Sequence, residues 1–448
     1  MQPLYLLLVT EVIDIFLLES SLNNLKRYLS NQLTFSFKTY LWLMLASASS
    51  VLLIDFFLRA SDFAQHSFKS SISGSPEMAL LISPLIFLLV VTITKNYCHF
   101  VQGSGIPQAI AATQSNNKLI RDKLLSFRVA IGKIAFIFFG MLGGGSIGIE
   151  GPSIHIGSSI FYGFNRFIKQ KRKLFLHAII AIGGSAGLIV AFNAPIAGFL
   201  FAYEELGRNL KRQLFFLVGL FSLLTYFFSY LYRGNDFYLV DLTNLSTDFL
   251  MVWILLPLVL VSGVLGGVFS KSAIYLLKRF RINSFKKIIL YSVGFGFLVG
   301  IMNFLSSGLI AGSGRDEVIL LLNQNYLGID FLIEKYLATL FSLASTIPGG
   351  LFMPTIAIGG SLGSELSHLI PLIAPASVIV ITMICYLSAV IRAPLTSTFV
   401  IIEMTGCYEL LLPGLVFAFL SALISKKIQQ KPIYEALAEQ FALLSKKV

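Results

Sequence analysis

Long apolar runs, separated by short polar segments, make up most of the chain. A helix needs about 20 consecutive apolar residues to cross the hydrocarbon core of a bilayer, and several runs reach or approach that length. The longest runs cover approximately residues 39–57, 77–95, 124–142, 174–192, 213–232, 249–277, 288–310, 328–345 and 375–391. The pattern therefore predicts an all-α polytopic membrane protein.

A second set of apolar stretches is short or interrupted by glycine and proline. A backbone polar group left unpaired in hydrocarbon is costly, so interrupted helices must be buried in protein or line a cavity. These stretches cover approximately residues 104–115, 148–163, 194–206, 350–363, 394–406 and 411–425. We expect them to form short, tilted or broken helices around a central site.

The interrupted stretches repeat in the same order in the two halves of the chain, about 200 residues apart. Residues 148–157 align without a gap with residues 350–359, and both segments share their terminal glycines and a proline. Corresponding interrupted segments in two halves indicate a transport site between them. The other aligned pairs are Asn-Ala-Pro at 193–195 with Arg-Ala-Pro at 392–394, Glu204 with Glu403, and, more weakly, Gly-Ser-Gly at 103–105 with Gly-Ser-Gly at 312–314.

The repeat divides the chain into four predicted segments. The first residues carry Glu11 and Asp14 but no early Lys or Arg, which is a poor signal peptide and favours an interfacial helix. The segments are an N-terminal interfacial or cytoplasmic helix at 1–37, a first transmembrane repeat at 38–232, a polar linker at 233–248, and a second transmembrane repeat at 249–448 that includes a C-terminal helix.

The composition excludes a soluble protein, because 56% of the residues are hydrophobic and only 12% are charged. The net charge of +12 lies in short basic clusters between apolar runs. Such clusters are typical of the cytoplasmic ends of transmembrane helices rather than of a nucleic-acid surface. The three cysteines are too widely spaced for a disulfide framework or a metal site. We expect no nucleic acid partner, no metal and no cofactor.

Three interrupted segments have the form of an anion site. The first turn of a helix presents unpaired N–H groups and a partial positive charge, which can hold an anion without a buried cation. Ser104 precedes one such helix start, and Pro107 fits its first turn. The segments at 148–152 and 350–354 have the same glycine and proline pattern. The alternative is that these glycines only allow close helix packing.

Glu150 lies at one of these helix starts, where a carboxylate would compete with an anion for the same place. A carboxylate within the membrane is a candidate proton relay, although Glu150 could also be a helix cap. Glu205 is a second candidate for proton transfer, with a solvated helix end as its alternative. We expect Glu403, which aligns with Glu204, to be structural.

These motifs resemble the three anion-site signatures of the CLC chloride channel and transporter family. They stand at 103–107, 148–152 and 350–354, and the resemblance extends from about 38 to 445. It implies a CLC-like fold with two inverted-topology repeats, and a homodimer with one chloride pathway per subunit. The chloride-binding residues that it implies are Ser104, Gly105, Ile106, Ile149, Glu150, Gly151, Leu351, Phe352, Met353 and Tyr434.

The resemblance also implies roles for individual residues. Ser104 and Tyr434 would offer hydroxyl groups to a central chloride, and Glu150 would be the gating glutamate. Glu205 matches the internal proton glutamate of the exchangers, where passive channels usually have an apolar residue. The expected function is therefore proton-coupled chloride antiport. The alternative is a passive voltage- or pH-gated chloride channel of the same fold.

The chain departs from the family pattern at several positions. Ile149 stands where many relatives carry Arg or Lys, and Gln108 stands where an acidic residue is common. At the position of Ser104 the chain keeps the family pattern, and the resemblance implies that this serine favours chloride over nitrate or fluoride. The sequence ends at Val448, without room for the cytoplasmic regulatory CBS pair, which favours a bacterial inner membrane.

A remote alternative of a different class is an intramembrane serine hydrolase. Residues 183–187 satisfy the Gly-x-Ser-x-Gly pattern around Ser185. That pattern needs a base within reach of the serine, and no second motif places one. Small residues at this spacing more often form a helix-packing face, so we expect the protein not to be an enzyme.

Overall fold

The structure is a computed structural model that describes residues 37–168, 173–207, 212–234, 236–243, 245, 251–280 and 284–445. The predicted N-terminal helix at 1–37 lies outside the described residues except for Phe37, and so does part of the predicted linker at 233–248. Throughout the described ranges the regular structure is helical, apart from one isolated antiparallel bridge between Gly148 and Gly350. The predicted all-helical fold is confirmed.

The first half of the chain contains nine α-helices among the described residues. Proline stands in the first turn of α3 and begins α8, where its missing N–H costs no hydrogen bond. The helices are α1 (Phe37–Ile72), α2 (Ala79–Tyr97), α3 (Ile106–Gln114), α4 (Lys118–Leu124), α5 (Phe127–Leu142), α6 (Glu150–Ile168), α7 (Lys173–Phe192), α8 (Pro195–Phe201) and α9 (Arg212–Arg233).

In the second half of the chain, proline also begins two helices, α15 and α16. Its helices within the described ranges are α10 (Leu256–Arg279), α11 (Phe285–Leu305), α12 (Arg315–Leu322), α13 (Gly328–Ala344), α14 (Phe352–Ser367), α15 (Pro375–Ile391), α16 (Pro394–Thr405), α17 (Leu411–Ile428) and α18 (Ile433–Ser445).

Eight helical segments of the described chain are long and apolar enough to cross a membrane. One of them, Tyr408–Ile428, contains the stretch 411–425, which the sequence pattern wrongly predicted to be too short or interrupted for a simple span. The helix continues through this stretch because Pro413 lies in its first turn and needs no intrahelical N–H acceptor.

Helix α1 also extends beyond the predicted run, because polar residues in its second half bind α12: Lys69 Nζ lies 2.7 Å from Glu317 Oε1.

Helices α6 and α7 pack backbone against backbone. A Cβ atom at Gly183 would lie 2.6 Å from Ser158 Cα, so only glycine fits there. Ser185 Oγ is hydrogen-bonded to Ser222 Oγ at 2.7 Å and is fully buried. The Gly-x-Ser-x-Gly segment is therefore a helix-packing face.

Residues that align in the two repeats make reciprocal contacts. The carboxyl group of Glu403 accepts hydrogen bonds from the backbone N–H groups of Ile196 (3.0 Å) and Ala197 (2.8 Å) at the start of α8. The carboxyl group of Glu204 accepts bonds from Leu395 N (3.0 Å) and Thr396 N (2.7 Å) at the start of α16. Each repeat thus caps a broken helix of the other.

Two buried lysines, one in each half of the chain, make a second set of matching contacts. Lys133 Nζ donates to the carbonyl groups of Val101 (2.8 Å) and Gly103 (2.9 Å), just before α3. Lys335 Nζ donates to the carbonyl groups of Ile310 (2.8 Å) and Gly312 (3.0 Å), just before α12. Each ammonium group therefore fixes the loop that leads into a short helix of its own repeat.

Candidate functional site

The bridge between the two repeats brings two helix starts together. Gly148 N donates to Gly350 O at 2.8 Å, and Gly350 N donates to Gly148 O at 2.7 Å. A Cβ atom at Gly350 would lie 2.9 Å from Gly148 O, and one at Gly148 would lie 2.9 Å from Pro354 Cδ. The bridge therefore requires glycine on both sides, and it fixes the starts of α6 and α14 against each other.

The third interrupted segment joins the other two. Gly105, with φ of +102°, precedes α3 in a conformation that favours glycine. A Cβ atom at Gly105 would lie 3.1 Å from Gly151 O, and one at Gly151 would lie 3.0 Å from Ser104 Cβ and 3.6 Å from Gly350 Cα. The starts of α3, α6 and α14 thus meet at one place.

All the residues that the sequence analysis assigned to the chloride site are buried. Ile149 adds no charge to this region and is 3% exposed. The structure places the following predicted residues in the interior: Ser104, Gly105, Ile106, Ile149, Glu150, Gly151, Leu351, Phe352, Met353 and Tyr434.

Glu150 is fully buried and begins α6, but its carboxyl group lies on the start of α14 in the other repeat. Its Oε2 atom accepts a hydrogen bond from Met353 N at 3.4 Å, and its Oε1 atom has no hydrogen-bond partner within the described chain. A Cβ atom at Gly148 would lie 2.5 Å from Oε2, so the glycine makes room for the carboxyl group. The side chain occupies a place where a helix N-terminus can bind an anion.

Two hydroxyl groups close to these helix starts have no protein acceptor or donor. Ser104 Oγ and Tyr434 Oη are buried and make no hydrogen bond to any described residue. Most buried hydroxyl groups are paired, so unpaired ones call for an explanation such as a ligand. Tyr434 begins α18, which packs on the first segment: a Cβ atom at Gly103 would lie 3.8 Å from Phe441 Cζ.

Tyr434 also links the two candidate proton groups, since it interacts electrostatically with both Glu205 and Glu150. Glu205 is 5% exposed, and two of the basic residues that could pair with it at a helix end, Arg208 and Lys211, lie outside the described residues. Glu205 lies in a π-helical turn, Ala202–Leu206, that follows α8. Such turns often occur at functional sites because the extra residue redirects side chains. Here Glu204 caps α16 while Glu205 faces the interior.

Several supporting residues were missed by the sequence analysis. Lys133 fixes the loop before Ser104, and its only signal in the sequence is a charge in the middle of the apolar run 124–142. His155 Nε2 is hydrogen-bonded to Leu124 O at 2.8 Å, and its Cβ atom packs against Gly105. The side-chain amide of Gln108 donates to Phe100 O, which accounts for a neutral residue at that position.

Solved structures share this architecture. A slow cyanobacterial Cl⁻/H⁺ antiporter superposes with a TM-score of 0.78 at 23% identity, covering 92% of this chain and 99% of that one. A eukaryotic CLC transporter gives 0.70 at 22% identity, covering 90% and 75%. A CLC-type fluoride/proton antiporter gives 0.71 at 20% identity, covering 88% and 96%. At these identities the likeness establishes the fold.

A family profile described as "Voltage gated chloride channel" matches residues 86–426. The match covers more than half of the 448 residues and includes all three interrupted segments that meet at the site. The chain is thus an integral membrane protein that belongs to the CLC family of voltage-gated chloride channels and transporters.

Proposed function

We propose that the protein exchanges chloride for protons across a membrane. The observation that carries this proposal is the carboxyl group of Glu150, which lies on the first turn of α14 with one oxygen unpaired. A buried carboxyl group that is bound to an anion-binding helix end by long hydrogen bonds can leave when it is protonated. The likeness to two proton-coupled antiporters supports the same function.

The proposed central chloride site uses the hydroxyl groups of Ser104 and Tyr434 with the backbone N–H groups of Leu351 and Phe352. Both hydroxyl groups are buried without a partner among the described residues, as a site for a small anion requires. The proposed outer site lies where the Glu150 carboxyl group now is, beside the amide of Met353. Gly105, Ile106, Ile149 and Gly151 contribute backbone at the same helix starts.

The proposed cycle alternates chloride and a carboxylate at the outer site. Protonation neutralises Glu150, which leaves the α14 start and admits chloride. Deprotonation returns the carboxylate and expels the ion, and the proton passes inward to Glu205.

The second candidate function is a passive chloride channel of the same fold. The burial of Glu205 favours exchange, because a carboxyl group buried beside the pathway is costly and is retained for proton transfer. Ser104 supports chloride as the transported anion, in contrast to the fluoride of one structurally similar antiporter.

Purified protein in liposomes provides the test. The assay starts with a chloride gradient and no proton gradient. The proposal predicts that chloride flow drives protons in the opposite direction, and that this movement continues after it has created an opposing proton gradient. Chloride flux without any proton movement would instead assign the protein to the channels.

We further propose that the protein is a homodimer in a bacterial inner membrane, with one pathway per subunit and with its two repeats at 38–232 and 249–448. The cyanobacterial origin of one similar structure supports the location. Exposed apolar side chains on α9 and α17 provide surfaces for lipid or a second subunit: Phe216, Leu220, Leu223, Leu412, Phe419 and Leu423. Chemical cross-linking in liposomes tests the subunit number.

A further inference from the structure

Arg315, the first residue of α12, is held on the ring and backbone of Tyr238. Its guanidinium carbon lies 4.5 Å from the centroid of the Tyr238 ring, and its Nε donates to Tyr238 O at 2.9 Å. The loop before α12 is fixed in turn by Lys335, whose Cε atom lies 3.0 Å from the position of a Cβ at Gly314. Arg315 is half-buried, so its charge is oriented but still reaches solvent.

A row of aromatic rings leads from Arg315 to the Glu150 site. The Tyr238 ring centroid is 5.3 Å from that of Phe192, and the Phe192 centroid is 5.6 Å from that of Phe352. Phe352 begins α14, and the next amide along this helix bonds Glu150. Arg315 is therefore connected to the start of α14 by three aromatic rings in packing contact.

Asp55 and Glu317 form close ion pairs with other cations, and Asp316 lies farther from its cation. Asp55 lies 2.6 Å from Arg59 Nε and 3.3 Å from Arg233 Nε. Lys69 Nζ lies 2.7 Å from Glu317 and 3.7 Å from Asp316.

Arg315 itself has no ion pair within 4 Å among the described residues. Asp62, an exposed residue of α1, interacts electrostatically with both Arg315 and Glu150 and opposes the cation at longer range. The neighbour of Glu150 in the chain, Ile149, is apolar. Arg315 is therefore a partly exposed positive charge with no ion pair within 4 Å among the described residues, and the row of rings connects it to the start of α14.

We propose that Arg315, fixed on Tyr238, captures chloride from solvent and feeds it to the site at Glu150. A fixed, partly exposed positive charge raises the local concentration of anions around it. The inference rests on the proposed chloride transport and adds a capture residue to it.

The test measures initial chloride uptake into liposomes against external chloride concentration. Arg315→Gln is expected to raise the apparent KM for chloride by about three- to tenfold while the rate at saturating chloride is retained. Arg315→Lys keeps the charge and is expected to retain most of the affinity. Asp62→Asn removes the opposing charge and is expected to lower the apparent KM.

Arg279→Gln is the matched control. Arg279 is also an arginine over an aromatic ring, 5.8 Å from the centroid of Phe280, but it is exposed at the end of α10. This variant is expected to keep the KM of the unaltered protein. A non-transported salt such as sodium gluconate at high concentration is expected to reduce the difference between Arg315→Gln and the unaltered protein, because it screens exposed charge.

An unchanged KM in Arg315→Gln would overturn the inference and leave chloride transport standing. Equal losses in Arg315→Lys and Arg315→Gln, or a loss that salt does not reduce, would also overturn it, because they would show a structural role for the side chain. If the unaltered protein transports no chloride, the proposed function fails and the capture role fails with it.

Discussion

Glu150, Glu204 and Glu403 each place a carboxyl group on a helix start in the opposite half of the chain, and their hydrogen bonds differ in number and length. Glu204 and Glu403 each accept at least two backbone hydrogen bonds of 2.7–3.0 Å. Glu150 Oε2 lies 3.4 Å from Met353 N, the backbone N–H groups of Ile149 and of Glu150 itself also act on the carboxyl group, and Oε1 has no hydrogen-bond partner among the described residues. A hydrogen bond to a charged group contributes about 1.5–3 kcal/mol at good geometry, and much less when it is long. Of the three, the Glu150 carboxyl group therefore has the weakest hydrogen bond to the opposite half of the chain.

We predict that Glu150→Gln keeps chloride flux and loses proton coupling. The neutral side chain mimics the protonated carboxyl group and has no charge to return to the α14 start. Simultaneous recording of chloride efflux and proton uptake in liposomes measures both quantities. Proton pumping that continues in this variant would contradict the proposed cycle.

Glu205→Gln is predicted to stop proton movement while chloride still passes. Glu205 is buried in the π-helical turn and interacts with Tyr434, so its loss removes the inner proton acceptor without touching the helix starts. The same flux assay measures the ratio of protons to chloride. An unchanged ratio would remove Glu205 from the pathway.

Tyr434→Phe is predicted to weaken chloride binding about fivefold, because a typical hydrogen bond contributes about 1 kcal/mol. Isothermal titration calorimetry of the purified protein measures this affinity. Tyr386→Phe is the matched control: its hydroxyl group is also buried and unpaired among the described residues, but its aromatic contact is with Phe269. Equal effects of the two substitutions would argue against a special role for Tyr434.

At the scale of helices, the site depends on contacts that cross between the repeats. The starts of α8 and α16 are capped by carboxyl groups of the opposite repeat, and the starts of α6 and α14 are joined by the glycine bridge. These contacts connect residues about 200 positions apart. The positions of the helix ends, and with them the anion site, therefore depend on both halves.

Glu403→Ala is predicted to destabilise the fold without changing proton coupling. The substitution leaves the N–H groups of Ile196 and Ala197 at the start of α8 without their acceptor, and loss of a cap costs about 0.5–2 kcal/mol. Thermal unfolding in detergent measures the loss, and the flux assay measures the coupling ratio. Normal stability combined with lost coupling would mean that Glu403 carries protons.

At the scale of the whole molecule, the sequence predicted the helical fold and the convergence of three interrupted segments. It could do so because membrane spans require long apolar runs and because proline and glycine mark helix starts. The sequence did not predict the lysine braces, the reciprocal glutamate caps or the Arg315–Tyr238 contact. Each of these joins residues that no local pattern relates, so only the folded chain reveals them.

Family membership also decides between function classes. The chain belongs to a family of channels and transporters, which confirms the prediction that it is not an enzyme. Ser185, the candidate hydrolase nucleophile, is fully buried and bonded to Ser222. The pattern around it serves the close packing of α6 and α7.

The most direct test locates the anion itself. Bromide can replace chloride and be identified by anomalous scattering in crystals of the unaltered protein and of Glu150→Gln. The account predicts a bromide beside Ser104 and Tyr434 in both crystals, and a second bromide near the Met353 amide in Glu150→Gln alone. A bromide beside Met353 while the Glu150 carboxylate stays in place, or none there in either crystal, would contradict the claim that this carboxylate and the anion exchange places.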